Sequence, residues 1–155
     1  MVVAGSVTAA QPVAPPAAAI PVDPADNLLA NGDFTNGAAN WLTCGGDFDI
    51  EAQGANNSDA AVLGTTACVF QEFEAVAGQE YELSCSGRAT GFASITLSYS
   101  DVSFSALATK ESTVPGSTFS NVTATETAPA NTAQGAVTLY ADESATFDNC
   151  VVVER

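Results

Sequence analysis

The four cysteines are the residues whose chemistry is clearest. They are Cys44, Cys68, Cys85 and Cys150, and no two have the Cys-x-x-Cys spacing of zinc or redox sites. An even number at wide spacings predicts two disulfides formed in an oxidising compartment, the alternative being four buried free thiols. Four cysteines allow three pairings. We favour Cys44–Cys68 with Cys85–Cys150, because it joins sequence neighbours and ties a middle strand to the last strand.

Groups that could support catalysis are scarce. The chain has no histidine, which excludes Ser-His-Asp and Cys-His catalysis and histidine metal sites. Glu72 and Glu74 are two residues apart and would share one face of a strand. The two carboxylates of a glycoside hydrolase must instead flank the scissile bond from opposite sides of a cleft. We therefore interpret both as surface acids and predict that the protein is not an enzyme.

The charge balance excludes another class of function. Three Lys and Arg residues stand against 18 Asp and Glu residues, for a net charge of −15. Such a surface repels phosphate backbones, so we expect no nucleic-acid partner. No apolar run is long enough to span a bilayer. Together with the disulfides, this composition predicts a secreted protein or one on the extracellular surface.

The elements that must position these residues are short strands separated by turns. Residues 47–51 alternate strictly between polar and apolar, which is typical of a half-buried strand. Within residues 80–86, Cys85 shares a face with Tyr81 and Leu83, as a core disulfide would. No stretch has convincing helical periodicity, so we predict an all-β fold, an antiparallel β-sandwich. The other predicted strands are residues 42–44, 60–63, 67–76, 94–100, 119–127, 136–140 and 146–153, whereas residues 105–118 are expected to be a polar segment.

The stretch NLLANGDFTNGAANWLTCGG, residues 27–46, marks the start of the globular domain. Its two Asn-Gly steps favour tight turns. The opening NLLANGDF, Trp41, GQEYELS at residues 78–84 and FDNCVVV at residues 147–153 together resemble the jelly-roll, galactose-binding-like carbohydrate-binding modules. The resemblance spans residues 27–155 and implies a jelly-roll β-sandwich in which Trp41 belongs to the core.

The resemblance also implies a structural Ca²⁺ between the first strand, the loop before the third strand and the last strand. The matching positions are Asp33, Thr35, the loop with Asn56 and Asp59, and Asp148. Oxygen ligands of this kind suit Ca²⁺. Thr35 stands where the family usually has Glu, which removes a charge from the site. The alternative is that Asp33 and Asp148 cap turns.

Sugar binding needs an exposed aromatic ring with polar neighbours. Some of the aromatic residues other than Trp41 must fill the core, and the sequence does not say which ones remain exposed. We take Tyr99 and Phe104 as the candidate glycan-binding residues. A polysaccharide partner is therefore implied by the family resemblance alone.

Residues 1–26 form an Ala/Pro/Val-rich tail, which we expect to be extended. Its head carries the β-prone residues Val2, Val3 and Val7 before the first proline. We predict that this head adds a strand to a second copy of the chain, so that the protein is a structural subunit of a surface filament or layer. The alternative placement is that the head folds back on its own sandwich. The alternative function is a free-standing glycan-binding module with the tail as a linker.

Overall fold

A computed structural model describes residues 26–155 of the chain. It contains strands and turns, and no α-helix is found in these residues. The strands are β1 Leu42–Gly45, β2 Phe48–Glu51, β3 Ala60–Leu63, β4 Ala67–Phe73, β5 Glu80–Thr90, β6 Ala93–Ser100, β7 Ala106–Thr113, β8 Ser120–Thr127, β9 Gln134–Ala141 and β10 Ser144–Glu154.

The strands form two antiparallel sheets of five strands each. The first, called sheet A, has the order β1-β4-β9-β6-β7, and the second, called sheet B, has the order β2-β3-β10-β5-β8. Consecutive strands mostly lie in different sheets or at non-adjacent positions, as in a jelly roll. The predicted all-β sandwich is confirmed.

One strand was missed by the sequence analysis. We expected residues 105–118 to be a polar segment, but Ala106–Thr113 forms β7 and pairs with β6 along its length. The strand lies at the edge of sheet A, and most of its residues are exposed. An edge strand with little buried surface gives only a weak alternating pattern, because neither of its faces has to be uniformly apolar.

The core lies between the sheets and is built from the inward positions of each strand. In β5 the inward residues Tyr81, Leu83 and Cys85 are fully buried, while the residues between them are half-buried on the outer face. Trp41 is also buried, and the centre of its ring lies 5.3 Å from the centre of the Phe34 ring. The predicted core position of Trp41 and the inward direction of Cys85 are confirmed.

The segment before β1 is anchored to both sheets. Asn27 bonds along β10 through its side chain, donating to the Cys150 carbonyl at 3.2 Å and accepting from the Val152 amide at 3.0 Å. The backbone of Ala30 exchanges two hydrogen bonds with the Gln71 side chain in β4, at 2.7 and 2.9 Å. These bonds satisfy the buried Gln71 side chain and hold the opening motif against both sheets.

Both predicted disulfides are present with the favoured pairing, Cys44–Cys68 and Cys85–Cys150. The first links β1 to β4 on the outside of sheet A, and the second links β5 to β10 inside the core. Two disulfides are typical of proteins that fold outside the reducing cytoplasm. Within residues 26–155 there is no helix long and apolar enough to cross a membrane.

Candidate functional site

Asp148 lies on the outer side of sheet B, where the loop before β3 covers it. Its side chain is fully buried. The Ser58 hydroxyl donates to Oδ2 at 2.5 Å, and the Asn149 amide donates to Oδ1 at 2.7 Å. A Cβ on Gly54 would overlap Asp148 Oδ2, so only glycine fits at that position. The loop before β3 and the last strand are thus in contact, as the resemblance implies.

The other predicted calcium ligands lie at the surface. Asp33 and Thr35 are exposed, and Asp33 Oδ1 accepts a hydrogen bond from the Thr35 hydroxyl at 3.0 Å. Asn56 and Asp59 are exposed as well. Residues 26–155 contain no group of three or more His, Cys, Asp or Glu side chains that could hold a metal ion. The predicted Ca²⁺ site stays a prediction.

Tyr99 does not fit the role of a glycan platform. Its side chain is 2% exposed in the core, and its hydroxyl donates to the Glu126 carbonyl at 3.1 Å. Burial, with a further contribution from nearby Tyr81, raises the pKa of Tyr99 above its ordinary value. Tyr99 lies on the inward face of β6, and an inward ring in a sandwich is covered by the opposite sheet.

Phe104, the second aromatic candidate, is 75% exposed at the tip of the β6–β7 loop. Asp101 organises this loop, because its Oδ1 accepts hydrogen bonds from the amides of Ser103 at 2.8 Å and Ser105 at 3.0 Å. Phe104 has a φ of 61°, in the left-handed region that bulky residues rarely adopt. A strained loop that exposes an aromatic ring is typical of a functional position.

Phe104 lines an open cleft of about 440 Å³ at one end of sheet A. Glu72 near the end of β4 and Glu74 just after the strand are both exposed and lie on one wall, and Asp101 belongs to the loop opposite. The predicted strand over residues 67–76 ends at Phe73, so the two acids do not share a strand face. The lining contains three carboxylates and no Lys or Arg. The cleft residues are Glu72, Phe73, Glu74, Asp101, Val102, Phe104, Ala133 and Gln134.

The outer face of sheet A continues from this cleft. Phe70 of β4 and Tyr140 of β9 alternate with core residues and are half-buried on this face. Phe70 lies beside Thr138 in the strand register, and Thr138 lies beside Thr96. The exposed ring of Phe92 packs 6.1 Å from that of Tyr140. Aromatic rings and hydroxyl groups thus share one solvent-accessible surface.

Sequence reasoning found Phe104 but not the cleft around it. Asp101 lies in the loop after β6, and Gln134 is the first residue of β9, far away in sequence. Neither residue belongs to a recognisable sequence motif. The strand parity of residues 67–76 did contain a usable signal. Val69 and Phe73 occupy one set of alternate positions and Phe70 the other, so Phe70 could have been assigned to the outer face.

Val2, Val3 and Val7, the predicted self-association residues, lie outside the described residues. The strand-addition hypothesis therefore stays a prediction.

Comparisons with proteins of known structure identify the fold. No protein-family model matches the chain, and a comparison with curated proteins finds no relative. The enzymatically active domain of tailspike protein 4 from bacteriophage CBA120 matches 86% of this chain with a TM-score of 0.75 and 18% identity. This chain spans only 22% of that structure.

Two isolated modules match over their whole length. A family 16 carbohydrate-binding module is 17% identical, with a TM-score of 0.67, over 83% of this chain and 100% of the module. TmCBM61, solved with β-1,4-galactotriose, is 16% identical, with a TM-score of 0.59, over 83% of this chain and 99% of the module. The chain therefore has the jelly-roll fold that these carbohydrate-binding modules share.

Proposed function

We propose that the protein is a non-catalytic, extracellular carbohydrate-binding module that binds a neutral polysaccharide through the cleft at Phe104. The observation that carries this proposal is the exposed Phe104 ring beside Glu72, Glu74 and Asp101. An apolar sugar face can lie on such a ring, while the sugar hydroxyls donate charge-assisted hydrogen bonds to the carboxylates. The outer face of sheet A, with Phe70, extends this surface for further sugar units.

The charge of the cleft favours a neutral ligand. Three carboxylates without a basic residue would repel a sugar acid, in addition to the repulsion from a net charge of −15. The hydroxyl groups of a neutral sugar can instead donate hydrogen bonds to these carboxylates. The disulfides and the acidic surface support an extracellular location for such a module.

The test is binding to a panel of neutral polysaccharides by affinity electrophoresis and calorimetry. If a sugar covers about half of the 75% of Phe104 that is exposed, roughly 75 Å² of a ring of about 200 Å² leaves water, contributing about 1.9 kcal/mol. Phe104→Ala should therefore weaken binding about 20-fold. Val76→Ala removes another exposed apolar side chain outside the cleft and should leave binding unchanged.

Two results would reject the proposal. One is the absence of binding to every neutral polysaccharide in the panel, and the other is equal binding by Phe104→Ala and the wild type. Release of reducing sugar by the wild-type protein would contradict the non-catalytic part. A self-assembling role through the tail, and a structural Ca²⁺ at Asp148, remain separate proposals that are tested by the experiments given below.

A further inference from the structure

Arg88 lies in a groove on the outer face of sheet B, in the sheet opposite to that of the cleft. The groove has a volume of about 300 Å³, at the lower end of the range for ligand sites. Arg88 of β5 lies directly beside Thr146 of β10, which in turn lies beside Val62 of β3. The lining residues are Gln53, Val62, Arg88, Ala89, Thr90, Ser117, Ser144, Ala145 and Thr146.

The lining is unusual for this chain. It contains no Asp or Glu, although the chain has 18 of them, and it contains one of only three basic residues. Thr90, Ser117, Ser144 and Thr146, which carry hydroxyl groups, line the groove together with Arg88. The groove is therefore a basic, hydroxyl-rich exception on an acidic protein.

Neighbouring side chains hold the Arg88 guanidinium in place, but no carboxylate within the described residues forms an ion pair with it. Its carbon lies 4.8 Å from the centre of the Phe119 ring, a cation–π contact. Nη2 donates to Gln53 Oε1 at 3.3 Å, and this is the one side-chain hydrogen bond that Arg88 makes within residues 26–155. The one ion pair in that part of the chain joins Arg155 to Glu82.

Two acids lie near Arg88, and neither accepts a hydrogen bond from it. Glu51 accepts from Nε2 of Gln53, the amide whose Oε1 accepts from Arg88. Asp148 lies beside Ser86, two residues along β5 from Arg88, but its oxygens accept from Ser58 and Asn149. A guanidinium has five N–H donors in a planar fork that matches a carboxylate. Most of the donors of Arg88 thus remain open toward the groove.

The geometry points to a second saccharide site in this groove, which takes the carboxylate of a uronic acid residue. The Arg88 fork binds the carboxylate, and the hydroxyls of Thr146 and Ser144 bond to the hydroxyls of the sugar. Phe119 and Gln53 orient the guanidinium. The site does not depend on the cleft at Phe104, which has the opposite charge preference.

The experiment is calorimetric titration of the full chain with trigalacturonate and with its carboxyl-reduced, neutral counterpart. At about 0.15 M salt the Debye length is about 8 Å, so distant carboxylates of the protein are largely screened while the Arg88 contact is not. The acidic trisaccharide should bind at least about 10-fold more tightly than the neutral one at this site.

Variants separate the site from the rest of the protein. Arg88→Gln should lower the affinity for trigalacturonate at least about 10-fold, whereas Arg88→Lys, which keeps the charge but not the fork, should lose less. Thr146→Val keeps the shape of the wall and should also weaken binding, which provides a second test if Arg88→Gln fails to fold. Phe104→Ala should leave this binding unchanged. Equal affinity of the Phe104→Ala variant for the acidic and the reduced trisaccharide, or unaltered binding of trigalacturonate by both Arg88→Gln and Thr146→Val, would overturn the inference without affecting the cleft.

Discussion

Phe104 has a left-handed backbone, and we therefore predict that glycine is a more stable replacement than alanine at this position. This is the reverse of the usual order of the two substitutions. A non-glycine residue with a φ of 61° costs about 1–2 kcal/mol relative to an ordinary conformation. Alanine retains this cost, and glycine does not. Glycine in turn loses roughly 0.4–1 kcal/mol because the unfolded chain has more freedom. Phe104→Gly should therefore be more stable than Phe104→Ala, by roughly 0.5–1 kcal/mol.

The assay is urea unfolding of both variants. When the two transitions have the same slope, the difference between their midpoints reports the difference in the free energy of unfolding. Phe70 provides the matched control, because it lies within a regular strand. There Phe70→Gly should be less stable than Phe70→Ala by about 0.5–1 kcal/mol. If glycine is the less stable replacement at both positions, Phe104 does not have a left-handed backbone, and the strained presentation of its ring is refuted.

Four further predictions concern other parts of the chain. Replacing Cys85 and Cys150 by alanine opens a connection of 65 residues and should lower the free energy of unfolding by about 4.3 kcal/mol in the loop-entropy model, as measured in urea. A chelator should lower the melting temperature of the wild type but not that of Asp148→Asn, and an unchanged wild-type curve would mean that Asp148 only caps a turn. Because burial raises the pKa of Tyr99, the stability linked to its neutral phenol is complete below about pH 10 and is lost as the pH rises further, so Tyr99→Phe should reduce the alkaline loss of melting temperature. Deleting residues 1–10 should yield folded monomers in sedimentation experiments, and a full-length protein that is already monomeric at high concentration would reject strand addition.

The sequence by itself determined those features that depend on alternation and composition. Residues 80–86 alternate, and this pattern alone predicted both the strand and the inward direction of Cys85, because adjacent side chains of a strand point to opposite faces. The opening Asn-Gly steps predicted turns, and Asn31 and Gly37 do have positive φ. The preferred disulfide pairing, which the structure confirms, followed from the spacing of the cysteines and from assigning Cys85 to a middle strand and Cys150 to the last one.

Only the tertiary structure decided which aromatic rings are accessible and which polar groups meet. Tyr99 and Phe104 are five residues apart and both aromatic, yet one lies under the opposite sheet and the other at a loop tip. Arg88 and Thr146 become neighbours because β5 pairs with β10, a connection that no local pattern contains. The physical reason is that alternation sets the direction of a side chain relative to its own strand, whereas the pairing of distant strands sets what covers that side chain and what lies beside it.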